Sequence, residues 1–114
     1  MFIIENNFVY EIKNKTKSTV KKMYGNINKV GLTNISIMTN MLTNIPVTYQ
    51  AFNTNSGKYE TDTDINKTVD VYLDGNVAGQ ITITNGNGNI EFESAEAGTY
   101  KITVDGYSAE VAVV

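Results

Sequence analysis

From Pro46 onward, apolar residues fall at every second position in short runs, and the runs are broken by Gly, Asn and Asp. Between Pro46 and Phe52, Val47, Tyr49 and Ala51 share one parity and Thr48 and Gln50 the other. Thr68 to Asp74 repeats the pattern, setting Val69, Val71 and Leu73 against Asp70, Tyr72 and Asp74. Successive side chains of an extended strand point to opposite faces, so this period buries one face and wets the other. Ile81 and Ile83, then Ile90 and Phe92, then Tyr100, Ile102 and Val104, then Tyr107, Ala109, Val111 and Val113 continue it. The interruptions Asp74-Gly75-Asn76, Asn85-Gly86-Asn87-Gly88-Asn89 and Asp105-Gly106 are built from residues that tolerate a positive φ. No stretch places apolar residues three and four apart over a useful length, as an amphipathic helix requires. The pattern predicts an all-β chain of antiparallel strands, folded as a sandwich or barrel.

The first 45 residues read differently. Phe8, Tyr10 and Ile12 alternate as a strand, and Ile35 and Ile37 do so again, but Lys13 to Lys22 is polar and poor in core formers. That stretch is expected to be an exposed loop or a weak helical turn. Charge divides along the same line: residues 1–40 carry a net +4 and residues 41–114 a net −7. The chain of 114 residues is long enough for one domain and an appendage. We therefore expect residues 1–32 to be a basic arm or hairpin and residues 33–114 to be the sandwich.

The most specific local feature is Glu96-Ala97-Gly98-Thr99-Tyr100, followed by Lys101-Ile102-Thr103-Val104. It resembles the tyrosine corner of immunoglobulin-like β-sandwiches, in which glycine allows a sharp turn and a tyrosine hydroxyl bonds a nearby backbone group. The resemblance implies structural roles for Gly98, Tyr100 and Ile102, the last standing where antibody domains place their second cysteine. It implies a B-like strand at Val47–Phe52, a C-like strand at Val69–Leu73 and a D/E-like hairpin made of Ile81–Thr84 and Ile90–Glu93. Tyr100–Val104 and Tyr107–Val114 become the last two strands. The tryptophan usual on strand C is missing, with Val71 or Tyr72 nearest its place.

Composition argues against most catalysis. The chain has no His, Cys, Trp or Arg. Disulfides and thiolate metal sites are thereby excluded, and the commonest general base is missing. Serines and threonines have no persuasive activating base, and paired carboxylates suited to glycoside chemistry read better as a solvated face. Asp62, Asp64 and Asn66 space their oxygens like the opening of a calcium loop, but Lys67 and Leu73 stand where that loop needs Gly and Glu. No catalytic residue and no cofactor is expected. Lysines beside Tyr10 and Tyr24 suggest single-stranded nucleic acid, a reading weakened by the absence of arginine. Tyr59, Tyr72 and Tyr107 offer rings on which a host glycan could stack. No window is long enough for a membrane span.

Such a module binds or builds rather than reacts. With Met1 read as its start, the chain lacks an export signal and is expected to be made in a cytoplasm. Its Lys-, Asn- and Ile-rich composition looks like that of a low-GC host. Together these features resemble small immunoglobulin-like proteins of bacteriophage virions. That resemblance implies a capsid decoration protein, or a tail accessory protein, contacting the major capsid protein, another virion protein or copies of itself. Phe2, Ile3, Ile4, Phe8, Tyr10, Lys13, Lys15, Lys17, Lys21 and Lys22 are the expected contact residues. The alternative is an adhesion or carbohydrate-binding module of a bacterial cell surface.

Overall fold

The computed structural model describes residues 1–15 and 18–114, with side chains described outside 13–22. The described residues contain strands and turns and no helix. In chain order the strands are β1 (Phe2–Glu5), β2 (Phe8–Lys15), β3 (Ser18–Asn26), β4 (Asn28–Gly31), β5 (Ile35–Ile37) and β6 (Thr43–Asn53). They continue with β7 (Lys58–Thr61), β8 (Lys67–Leu73), β9 (Asn76–Ile83), β10 (Asn87–Phe92), β11 (Gly98–Val104) and β12 (Tyr107–Val113).

β1, β2 and β3 form a separate antiparallel meander in that order. Asn6 and Asn7 turn the chain with φ of 51° and 68°, the left-handed pair that matches the twist of a two-residue hairpin. The expected loop or helical turn over Lys13 to Lys22 is corrected here. Residues 13–15 and 18–22 are strand, with Lys13 opposite Val20, Asn14 opposite Thr19 and Lys15 opposite Ser18. Pairing of this kind needs backbone partners rather than apolar side chains, and β-branched Thr19 and Val20 favour the extended backbone.

The remaining strands make two sheets around one core. In the first, β6 is central: β4 pairs along one edge, while β10 and then β7 pair along the other. Strand pairing joins residues 28–31 to β6. The second sheet has the order β5-β12-β11-β8-β9, antiparallel except for the parallel pair β5–β12. Ile45, Val47 and Tyr49 from the first sheet meet Val69, Val71, Ile102, Val104 and Val111 from the second in a single cluster. The sheets are open, and the two-layer arrangement is consistent with a β-sandwich. The first strand of the body changes layers between β4 and β5. Its crossing is bonded to β12, where the Asn34 side chain accepts from the Glu110 N–H at 2.8 Å and Tyr107 donates to the Asn28 carbonyl at 3.1 Å.

The expected hairpin between β9 and β10 forms only at its tip, where Thr84 and Asn87 exchange backbone bonds at 2.8 and 3.0 Å around Asn85 and Gly86. β9 and β10 lie in different sheets, β9 beside β8 and β10 beside β6. Gly86, between them, is buried and bonded on both sides, its N–H to the Ile65 carbonyl and its carbonyl to the Tyr49 N–H. The turn folds the chain back, and beyond it the two strands diverge, one into each layer.

The parity of burial gives a direct prediction. Ile102→Ala should cost about 2–5 kcal/mol of stability in urea unfolding, whereas exposed Lys101→Ala on the same strand should change it by no more than about 0.5 kcal/mol.

Candidate functional site

The meander meets the body through aromatic rings. Phe52 and Tyr59 lie opposite one another on β6 and β7, so they share the face of the first sheet turned away from the core. Phe2 of β1 and Tyr24 of β3 close over them. Phe2 sits 4.9 Å from Phe52 and 5.3 Å from Tyr24, and Tyr24 lies 5.2 Å from Phe52 between ring centroids. Tilted and edge-on pairs at such distances add roughly 0.5–1.5 kcal/mol each beyond the apolar area they bury. Backbone bonds reinforce the joint, from Ile27 N–H to the Asn7 carbonyl at 2.9 Å and from Phe52 N–H to the Ile27 carbonyl at 2.8 Å. The Tyr59 hydroxyl donates to the Asn26 carbonyl at 2.6 Å, and the Lys29 ammonium lies 4.2 Å from the centre of its ring. Burial first, and Tyr24 second, raise the pKa of Tyr59 above 10.0. A Cβ at Gly25 would stand 2.7 Å from the Tyr59 hydroxyl oxygen, so this close approach requires glycine.

This places the expected contact residues. Phe2 is spent within the molecule, its ring also lying over Gly57. Ile3 and Tyr10 are half-buried, and Ile4 and Phe8 are exposed. The side chains of Lys13, Lys15, Lys21 and Lys22, and the whole of Lys17, lie outside the described residues. The backbone of β2 and β3 nevertheless defines their setting. β1 pairs only with Phe8–Glu11, so beyond that point the arm is a two-stranded ribbon. The molecule measures 61 × 28 × 22 Å.

At the other end of the body, Tyr100 opens β11. Its hydroxyl donates to the Glu96 carbonyl at 3.0 Å and lies 3.0 Å from the Ser94 hydroxyl, while its ring sits 5.6 Å from Phe92. Gly98 takes a φ of 153°, a conformation L side chains rarely adopt, and lets the chain turn into the strand. Ile102, two residues on from Tyr100, is buried in the core. The Ser94 carbonyl accepts from the Asn40 N–H at 2.7 Å, tying the corner to the segment before β6.

A polar clamp joins the layers near the β11–β12 turn. Tyr49 of β6 donates its hydroxyl hydrogen to an Asp105 carboxylate oxygen. The same oxygen accepts from Lys67 at 3.1 Å, and the Lys67 ammonium lies 4.9 Å from the centre of the Tyr49 ring. The Tyr49 bond, and then Lys67, hold the Asp105 carboxyl below its ordinary 3.8 against the opposing effect of burial. Burial, followed by the Asp105 bond and charge, pushes the Tyr49 phenol well above 10.0.

The remaining sequence candidates serve the fold. Asp62 accepts from the Asp64 N–H at 3.1 Å, capping its own turn, and Asn66 accepts from the Asn85 N–H at 2.9 Å, tying this loop to the turn after β9. Among the described residues, no group of three or more acidic side chains could hold a metal ion. Tyr59, Tyr72 and Tyr107 are each half-buried, and the hydroxyls of Tyr59 and Tyr107 are bonded to backbone. A cleft of about 360 Å³, not foreseen from the sequence, opens between β9 and β10. Val71, Leu73, Ile81, Ile90, Phe92 and Ile102 supply its apolar lining, with Glu91 and Gln80 among its polar residues. Its one advance signal was β9 itself, a strand without a single charged residue. In comparisons with known proteins, no family model, no curated protein and no solved structure matches the chain.

Two measurements probe these contacts. Tyr100→Phe keeps the ring and removes the hydroxyl, and should cost about 1 kcal/mol in chemical unfolding. Asp105→Asn keeps a residue that accepts a left-handed turn. Because the pKa of Asp105 is depressed in the fold, its contribution is present above 3.8 and is lost as pH falls through the lower folded value. The stability gap between wild type and variant should therefore be largest near neutrality, at roughly 1 kcal/mol for a half-exposed pair, and should close in acid.

Proposed function

We propose that the chain is a non-enzymatic immunoglobulin-like module of a phage virion, a capsid decoration protein that docks on the head surface through its N-terminal meander. The immunoglobulin-like reading draws on strand order. The body's first strand divides between the two layers, its second half running parallel to the last strand. β6 pairs with β10 and β11 with β8, as the B–E and F–C pairs of that fold do. The bond from Tyr100 to Glu96 stands at the start of the penultimate strand, where a tyrosine corner belongs. Core apolar residues replace the missing disulfide, which suits a protein that folds in a reducing compartment.

One observation carries the docking role. Beyond Glu11 the arm is a ribbon of two strands, and its sequence holds Lys13, Lys15, Lys17, Lys21 and Lys22. Two strands alone are marginally stable in water, so a ribbon of this kind gains order by pairing with another surface. Its charge selects an acidic one, and repetition over a shell multiplies a weak single contact.

The test uses the full chain carrying Lys13→Glu, Lys15→Glu, Lys21→Glu and Lys22→Glu, sedimented with undecorated capsids. Binding should be lost while the melting temperature stays near that of wild type, and wild-type binding should weaken as salt is raised. Equal binding by the variant at low salt would remove the arm from the contact.

A further inference from the structure

We infer that the flank between β9 and β10 is an acceptor for a β-strand, and that its occupant is the basic arm of a second copy of this chain. The inference rests on the reading of the arm as a docking element and names a partner for it. β9 and β10 are the outer strands of their sheets on this side, and the apolar cleft runs between them. Soluble proteins guard such edges with lysine, proline or inward-pointing charge. β9 has no charged residue over its length, its one irregularity being a bulge at Ala78, and β10 has only Glu91. Two edges almost free of charge flanking an apolar slot fit an extended segment that adds to the sheet and places alternate side chains in the slot.

The arm has the matching properties. β3 is an outer strand of the meander and spans 9 residues against the 6 of β10. Residues 1–40 carry a net charge of +4, whereas the body is acidic and no lysine lines the cleft. The same lysines set two arms against each other, since like charges on paired strands are unfavourable, and so steer an arm toward a cleft. The contact joins two different surfaces, so it links copies in an open row rather than closing a symmetric dimer.

Sedimentation velocity on the full chain tests this, from micromolar to millimolar protein at low salt. Wild type should form a concentration-dependent series of species that salt dissolves. A cleft variant, Gly79→Lys with Glu91→Lys, should remain monomeric. Gly79 tolerates the change because an added Cβ meets nothing within 4 Å. An arm variant, Lys21→Glu with Lys22→Glu, should also remain monomeric. An equimolar mixture of the two restores one intact arm and one intact cleft, and should sediment as a capped dimer, an outcome that requires both variants to be folded. Monomeric wild type at the highest concentration, a mixture that stays monomeric, or association of either variant alone to the wild-type extent would overturn the inference. Capsid co-sedimentation is read separately. Shell binding by a cleft variant that no longer self-associates is expected, and monomeric wild type that still binds shells would refute the self-contact while leaving the decoration reading standing.

Discussion

The two parts of the molecule hang on one strand of 11 residues. β6 turns Ile45, Val47 and Tyr49 into the core, carries β4 and β10 on its two edges, and ends on Phe52, which faces the other way and receives the meander. The change of face within one strand sets what each end can do. Toward Thr43 it is an ordinary core strand, and toward Asn53 it becomes the floor of an aromatic joint. Without Phe52 and its cross-strand neighbour Tyr59, the meander would keep its backbone bonds to residue 27 but lose the apolar surface that fixes its direction.

Much of this architecture was legible from alternation alone. Val47, Val69, Val71, Ile102, Val111 and Val113 sit in the core because a period of two leaves them no other face, and Asp105 at a φ of 47° makes the turn its dipeptide announced. What escaped the sequence depended on pairing between distant segments. A run such as Asn85–Asn89 reads as a hairpin tip in composition. It is one as far as the Thr84–Asn87 bridge, beyond which pairing with β8 and with β6 sends β9 and β10 to different layers. Lys13–Lys22 failed for a related reason, since a ribbon held by backbone pairing leaves no apolar pattern to detect. The candidate site was legible as charge and not as shape. Lysine content marked the arm, but nothing local showed that Phe2 would be consumed by the joint or that the edges of β9 and β10 would stand open.

The sequence of residues 1–40 is basic, that of the body is acidic, and a slot opens in the body between the edges of β9 and β10. Neither feature contributes to a folded monomer in an obvious way, and the exposed edges are a liability that selection against aggregation normally removes. Surfaces that cost something in isolation are informative because they gain value only in company. The fold's own polar contacts, by contrast, are closed on themselves, as in the Tyr49–Asp105–Lys67 clamp and the Tyr100 corner.

The change of layers between β4 and β5 also bears on how the chain reaches its final form. The Asn34 side chain finds its backbone partner 76 residues further along, and the Tyr107 hydroxyl reaches back 79 residues to its acceptor. Contacts of such sequence separation form late, because their loop entropy is lost before they return anything. Neither layer can be completed by the nearby chain alone, so the body assembles close to all-or-none. Until it is complete, the meander has no finished sheet against which Phe2 and Tyr24 can pack.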